Sequence, residues 1–219
     1  MPPLTRPRTM TVQDWRSGFG TVKPDEKETI SQTLWERVTY VSAATTELVF
    51  FNRVPANQFA GNLQLAGQLP AGNYFLVMSI RVMPYPNATE GAQAAQVAGN
   101  TDGALQDMIL LTRQGIGQLR VGDKAYGGPW PLFMLPGAGG AWGLLGNVGT
   151  TAAGSIGQVQ HGINGVPDPR AAYVLPIPLM IPPQYNFDVT LSWNAAQTLT
   201  GGNTDIFVML DGEMMRPVQ

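Results

Sequence analysis

The sequence predicts an all-β fold, a single jelly roll or antiparallel β-sandwich of about eight strands with long loops. Two observations lead to this prediction. Segments rich in β-branched and aromatic residues recur along the chain, and turns rich in Gly and Pro separate them. A helical pattern is almost absent, apart from Ala92–Val97, where flanking glycines limit any helix to about two turns. We expect one jelly-roll domain at 34–219 after a polar, Pro-rich arm at 1–33, with loop insertions at 84–104 and 136–168.

Four strands are expected in the first part of the domain. They span Gln32–Val41, Thr46–Val54, Phe59–Leu69 and Tyr74–Met83. The small residues Ala43 and Ala44 form a weak break between the first two strands. Pro70–Asn73 is a strong turn signal, and Pro84 and Pro86 are expected to stop the fourth strand.

The middle of the chain contributes three further predicted strands. Leu105–Thr112 and Ile116–Val121 are short apolar runs next to glycines, and the pair Gly122-Asp123 forms a turn after the second. Trp130–Leu135 is predicted as a short strand edged by prolines.

The last third of the chain has the clearest strand patterns. Phe187–Asn194 alternates strictly between apolar and polar residues, which is the period of a half-buried strand. Leu175–Ile181 alternates with prolines, which favours an edge strand. Thr204–Asp211 is apolar on both faces and predicts a strand covered on two sides. We expect Asp211-Gly212 to turn the chain before a final edge segment at Met214–Val218.

A long uncharged stretch sets this chain apart from an ordinary soluble domain. Residues 125–167 contain no Asp, Glu, Lys or Arg, although 13% of the whole chain is charged. Gly137–Gly165 within it is rich in glycine but also carries large apolar residues. Soluble domains typically have about 25% charged residues. We therefore expect this stretch to be an interstrand excursion that is ordered by neighbouring subunits.

The residues needed for catalysis are scarce. The chain has no cysteine, which excludes disulfides and thiolate chemistry, and His161 is its only histidine, in what looks like a loop. No Gly-x-Ser-x-Gly motif, phosphate-binding loop ending in Lys, calcium loop or carboxylate pair at catalytic spacing is present. We expect no enzymatic activity, no cofactor, no metal and no small-molecule substrate.

Tryptophan side chains leave a carbohydrate-binding module open as an alternative. Trp130, Trp142 or Trp193 could act as a platform on which a sugar ring stacks. Trp193, however, is in phase with the apolar face of Phe187–Asn194, so we expect it to pack in the core.

The charge of the chain argues against a general affinity for nucleic acid. Its formal net charge is −2, which provides no broad basic field. The first 23 residues differ, since four basic residues stand against Asp14 alone. Within this arm, Arg6 and Arg8 are candidates for contacts with phosphates or anionic lipid. The sequence contains no run of about 18 apolar residues, so no membrane span is predicted.

Three sequence blocks resemble a known family. They are Glu47–Phe51, the run Gly67–Phe75 that opens the next strand, and the closing Phe207–Gly212 with Arg216–Val218. Their order resembles that of the single jelly-roll capsid proteins of tailless icosahedral bacterial viruses, some of which enclose a membrane. The blocks are short and scattered along the chain, and 136–168 has no counterpart in the family pattern.

The resemblance implies a structural virion protein, most simply the major capsid subunit, made in the host cytoplasm and assembled into the virion. Its partners would be copies of itself and other virion proteins. The expected subunit contacts are Trp130, Phe133, Trp142, Leu144 and Leu145. The arm with Arg6 and Arg8 is a candidate for contacts on the shell interior, with the genome, an internal membrane or neighbouring subunits. The alternative is a vertex or spike protein, or a carbohydrate-binding jelly-roll module.

Overall fold

The fold is an antiparallel β-sandwich, confirming the predicted all-β class. It is described from a computed structural model, for residues 27–86, 103–126, 128–137, 142–146, 159–163, 172–199 and 202–217. The strands in these residues are β1 (Lys27–Tyr40), β2 (Glu47–Phe50), β3 (Tyr74–Pro86), β4 (Gly115–Val121), β5 (Lys124–Ala125), β6 (Trp130–Pro131), β7 (Trp142–Gly146), β8 (Val159–Ile163), β9 (Tyr173–Ile181), β10 (Phe187–Trp193) and β11 (Thr204–Pro217). They also contain one α-helix, α1 (Gly103–Gln114), and a 3-10 turn at Leu132–Met134.

The strand order is that of a jelly roll. One sheet has the order β1-β11-β3-β9 and the other β2-β10-β4-β5. Strand β1 therefore pairs with β11, β2 with β10, β3 with β9 and β4 with β5, so that early strands pair with late ones in a nested series. A long antiparallel hairpin that rolls up into two sheets produces this nesting. Strand β6 pairs with β4. Strands β7 and β8, which follow β6 and precede β9 in the sequence, form a separate two-stranded sheet.

The core lies between the two sheets, and the alternation seen in the sequence decides which side chains enter it. Along β10, Phe187, Val189, Leu191 and Trp193 are all buried, as the strict alternation predicts. The Trp193 ring lies 4.9 Å from the ring of Tyr40 in an edge-on contact. Trp193 is thus a core residue, and its predicted packing role is confirmed.

Residues 105–112 were expected to form a strand and instead belong to helix α1. Asp107 and Leu111, four residues apart, are both buried, whereas Ile109 is exposed. This spacing matches a helix, and a short apolar run cannot distinguish the two structures by composition alone. The indole Nε1 of Trp193 donates a hydrogen bond of 3.0 Å to the carbonyl of Leu111, one of the acceptors that a helix end leaves without an intrahelical partner.

The start of β1 and the predicted strand Phe59–Leu69 differ from the expectation. Strand β1 begins at Lys27, so the final residues of the expected arm at 1–33 belong to the sandwich. Phe59–Leu69 contains only isolated bridges, at Gly61 and between Leu65 and Gln68. Backbone bonds from this segment to β1, such as Arg37 N–H to the Ala60 carbonyl at 2.8 Å, cover part of the outer edge of β1 instead.

Strand β3 continues through the prolines that were expected to stop it. Pro84 and Pro86 lie opposite Ile206 and Thr204 of β11. The N–H of Val82 points away from β11, because it donates to the carbonyl of Leu135 at 3.0 Å. Residues 84 and 86 share this direction, and β9 pairs with β3 only as far as Ile80. On that side β9 does not pair with residues 84 and 86, so no ladder hydrogen bond is lost because proline lacks an N–H.

The edge position of β9 is confirmed. Between Val77 and Ser79 of β3 the pairing jumps from Leu179 to Val174, so residues 175–178 of β9 bulge away from the sheet. The prolines in this bulge need no ladder hydrogen bond there. An edge strand that bulges and carries proline also resists pairing with another chain.

The pair Asp211-Gly212 was expected to turn the chain. Instead, it continues β11. Asp211 lies opposite Ser79 and Gly212 opposite Val77, so that Met78 is an extra residue in β3. This is a β-bulge, in which one strand carries one residue more than its partner. The cause lies in the close approach of two backbones: a Cβ on Gly212 would lie 1.8 Å from the carbonyl oxygen of Leu76.

Asp211 connects three adjacent strands of the four-stranded sheet, β1, β11 and β3. Its carboxylate accepts two hydrogen bonds from Arg81 on β3, of 2.6 and 2.7 Å. Ser79 on β3 and Thr33 on β1 donate two more, of 2.9 and 2.6 Å. Burial alone would raise the pKa of Asp211, but these hydrogen bonds and the Arg81 charge outweigh burial and hold the pKa below its ordinary value.

We expect Asp211→Asn to lower the free energy of unfolding by about 1–2 kcal/mol at neutral pH. Because the pKa is lowered in the folded state, the carboxylate stabilises the fold above about pH 4, and this stabilisation is lost as the pH falls through the folded-state pKa. Urea unfolding at several pH values should therefore show the difference from wild type shrinking in acid. Asp205→Asn is the control on the same face of β11, since Asp205 has fewer partners, a hydrogen bond of 2.6 Å from Thr39 and an ion pair of 3.5 Å to Arg37. A pH-independent difference at Asp211 would contradict the prediction.

Candidate functional site

The segment Trp130–Leu135 is anchored in both sheets. Trp130 and Pro131 form β6 and pair with Gly117 and Ile116 of β4, in the five-stranded sheet. The carbonyl of Leu135 accepts the Val82 N–H of β3, in the four-stranded sheet. Leu132 and Leu135 are each only 1% exposed. The backbone between them is therefore held at fixed points on both sides.

Phe133 projects outward from this anchored segment. Its side chain is 64% exposed and that of Met134 is 42% exposed, although both are large and apolar. The 3-10 turn at Leu132–Met134 causes this arrangement, because it turns the two residues outward while Leu132 enters the core. Phe133 was predicted as a contact residue, and the structure places it where another molecule could cover it.

Two small residues of β4 allow the segment to pack closely. A Cβ on Gly115 would lie 2.5 Å from Leu132 Cδ1, and a Cβ on Gly117 would lie 3.2 Å from Leu132 Cδ2. A larger residue at either position would push the Leu132 side chain away. These glycines thus set the position of the 3-10 turn and, through it, the direction of Phe133.

Ile116 extends the apolar surface from the turn onto the outer face of β4. It is 44% exposed and lies opposite Pro131, and residues directly opposite in an antiparallel pair share one face. We use the name Phe133 surface for Ile116, Pro131, Phe133 and Met134. Ile116 and Met134 were not among the predicted contacts. The sequence did hold a signal for Ile116, since the phase that buries Leu119 and Val121 places it on the outer face.

Trp130 is only partly available to a partner. Its side chain is half-buried and packs against the core of its own chain. The indole ring lies 5.8 Å from the ring of Tyr173, at the start of β9. Trp130 thus helps to hold β6 against β9 within the subunit.

The structure does not describe the side chains of the other predicted contact residues. Trp142, Leu144 and Leu145 belong to β7, whose backbone pairs with β8 so that Trp142 lies opposite Ile163, but their side chains lie outside the described part of the chain. Arg6 and Arg8 also lie outside the described residues. His161, expected in a loop, is in β8 opposite Leu144. The roles predicted for Trp142, Leu144, Leu145, Arg6 and Arg8 therefore stay predictions.

Phe133 differs from other exposed aromatic residues in its setting. Phe59 is 69% exposed, which is close to the 64% exposure of Phe133. It lies in an irregular segment, however, next to a local turn in which its own N–H bonds to the side chain of Asn57 at 2.9 Å. Phe133 stands between two core-anchored leucines and beside other exposed apolar side chains. The two phenylalanines therefore form a matched pair for experiments.

No protein-family model, curated protein or solved structure matches this chain. In the described part of the chain, no three His, Cys, Asp or Glu side chains are grouped so as to hold a metal ion. No helix among the described residues is long and apolar enough to span a membrane.

Proposed function

We propose that this protein is a structural virion protein, the major capsid subunit, whose jelly roll assembles with copies of itself into an icosahedral shell. The observation that supports this best is the Phe133 surface, an exposed apolar surface on a segment anchored in both sheets of a jelly roll. The low charge of the chain, with 13% charged residues, agrees with a surface committed to partners. Other virion proteins, and the genome or an internal membrane at the N-terminal arm, complete the proposed set of partners.

The energetics favour covering Phe133. Burying a phenylalanine side chain from water contributes about 1.5–3 kcal/mol. Because the backbone on both sides of Phe133 is already fixed, little conformational entropy remains to be lost on association. A contact of this kind repeats at every subunit of a symmetric shell, so a modest contribution per contact stabilises the whole assembly.

The proposal is tested by the assembly state of the purified chain. Light scattering combined with size-exclusion chromatography, followed by negative-stain electron microscopy, should show closed particles of uniform size in equilibrium with free subunits. A compact monomer at every concentration and salt condition tried would count against the shell function.

We expect Phe133→Ala to raise the subunit concentration needed for assembly by at least about tenfold, since the lost burial is worth more than 1.4 kcal/mol per contact. The melting temperature of the free subunit should hardly change, because Phe133 is 64% exposed within it. Phe59→Ala removes the same side chain at similar exposure and serves as the control. If both variants shift assembly equally, or if neither does, the Phe133 surface is not the interface.

A further inference from the structure

A second surface feature lies away from the Phe133 surface. A cleft of about 520 Å³ opens where the β4–β5 turn meets the end of β9 and the loop that follows it. The residues that determine its chemistry are Gly122, Asp123, Lys124, Tyr126, Met180 and Tyr185. These residues come from two segments far apart in the sequence, and the fold alone brings them together.

The walls of the cleft carry two exposed aromatic rings. Tyr126 is 40% exposed and Tyr185 is 58% exposed. Tyrosine offers a flat apolar face together with a hydroxyl that donates and accepts hydrogen bonds, and only two side-chain torsions are fixed on binding. Both tyrosines can therefore contact a ligand that is flat and apolar on one side and polar at its edge.

The charges in the cleft balance each other. Asp123 and Lys124 are adjacent and exposed, and they are the only charged residues that line the cleft in the described part of the chain. The carboxylate accepts hydrogen bonds and the ammonium group donates them. Asp123 would repel an anionic ligand, and Lys124 would repel a cationic one. A neutral ligand with many hydroxyl groups matches both.

The loop that carries Tyr185 is held in place by backbone hydrogen bonds. The Gly122 N–H donates to the Asn186 carbonyl at 2.6 Å, and the Gln184 N–H donates to the Leu69 carbonyl at 3.1 Å. Gln184 has a φ of 59°, in the left-handed region that a glutamine seldom adopts. Backbone strain of this kind is concentrated at functional sites. A cleft whose walls are fixed in advance binds its ligand at a lower entropic cost.

We propose that this cleft binds a neutral saccharide. The apolar C–H faces of the saccharide would stack on Tyr126 and Tyr185, and its hydroxyl groups would bond to Asp123 and Lys124. The inference goes beyond the proposed shell function and does not depend on it, because the cleft and the Phe133 surface are formed by different residues. On an assembled particle, many copies of a weak site would bind a saccharide-coated surface with high avidity.

The test uses the full chain in its own assembly state and a panel of immobilised oligosaccharides. The neutral probes are maltotetraose, chitotetraose, xylotetraose, mannotriose and lactose, and the acidic probes are sialyllactose and a galacturonate oligomer. We expect at least one neutral probe to bind. Tyr126→Ala and Tyr185→Ala should each weaken that binding by about tenfold, as expected for the loss of an aromatic contact.

Two controls separate the cleft from general effects. Tyr85→Ala removes a tyrosine that is 47% exposed but does not line the cleft, and it should leave binding unchanged. Asp123→Asn should weaken binding several-fold, whereas Asp188→Asn on β10, outside the cleft, should not. Thermal unfolding of each variant shows that it is folded.

Several results would overturn the proposal. They are the absence of binding to every neutral probe up to about 10 mM, near the weak limit of specific affinity, and binding to the acidic probes alone. Binding that Tyr185→Ala leaves intact also contradicts it. So does an assembled particle in which a neighbouring copy covers Tyr185. Particle formation is measured separately, so failure here is distinguishable from failure of the shell proposal.

Discussion

Replacement of Gly212 by alanine is expected to lower the free energy of unfolding by about 3 kcal/mol or more. The new Cβ would lie 1.8 Å from the carbonyl oxygen of Leu76 and 2.8 Å from its carbonyl carbon. These are backbone atoms of the paired strand β3, so no side-chain rotation can relieve the clash. The strands β11 and β3 must separate at the bulge, where the core residues Phe75 and Val77 are packed.

Urea and thermal unfolding measure this effect. For a chain of this size, a loss of 3 kcal/mol corresponds to a fall in Tm of roughly 10 °C. Gly137→Ala is the matched control, because the three atoms nearest to its Cβ would be side-chain atoms of Met83, at 3.2–3.4 Å, and not backbone atoms of a paired strand. We expect that variant to remain within about 1 kcal/mol of wild type. Equal stability of Gly212→Ala and wild type would show that the close contact between the strands is not present.

We expect Glu36→Ala to have the second largest effect, a loss of about 3 kcal/mol. Glu36 on β1 is only 1% exposed, and its carboxylate accepts a hydrogen bond from the Phe51 N–H and another, of 3.1 Å, from Arg53 Nε. Phe51 is fully buried and has a φ of 67°, a conformation that strains a bulky residue. Without the carboxylate, the Phe51 N–H is buried without this acceptor and the strained turn loses its support.

Two further variants separate the contributions of Glu36. Glu36→Gln keeps an acceptor for Phe51 and should cost about 1 kcal/mol. Arg53→Ala removes only the ion pair, and Arg53 is 59% exposed, so the loss should be smaller than 1 kcal/mol. Denaturant midpoints provide the comparison. A loss at Arg53→Ala as large as that at Glu36→Ala would assign the stabilisation to the ion pair instead of the backbone hydrogen bond.

The two proposed surfaces have different consequences for the same particle. The Phe133 surface is apolar and is expected to be covered on assembly, so its variants should change assembly and leave the affinity of each single cleft for its saccharide unchanged. The cleft with Tyr126 and Tyr185 is polar as well as aromatic and is expected to stay open, so its variants should do the reverse. The two surfaces share no residues. Measuring both assembly and saccharide affinity on every variant therefore distinguishes their roles.

The identity of β10 and the edge position of β9 were predictable from the sequence, because both depend on local pattern. The alternation of Phe187–Asn194 identified β10 and its buried face, and the prolines of Leu175–Ile181 identified β9 as an edge. A side chain alternates between faces at every residue of a strand whatever its partners are. The turn at Pro70–Asn73 was local in the same way, closed by the Asn73 N–H and the Pro70 carbonyl at 3.1 Å.

The helix α1, the bulge at Gly212 and the two surfaces were decided only by the tertiary structure. The C-terminal end of α1 is held by the indole of Trp193, distant in the sequence, which donates to the Leu111 carbonyl, and Gly212 is required because Leu76 approaches it from another strand. The uncharged stretch at 125–167 suggested contact with a partner, but not which residues are exposed. That depended on Leu132 and Leu135 entering the core and leaving Phe133 outside. Pattern within a segment is local, whereas exposure and close approach depend on which distant segments pack against it.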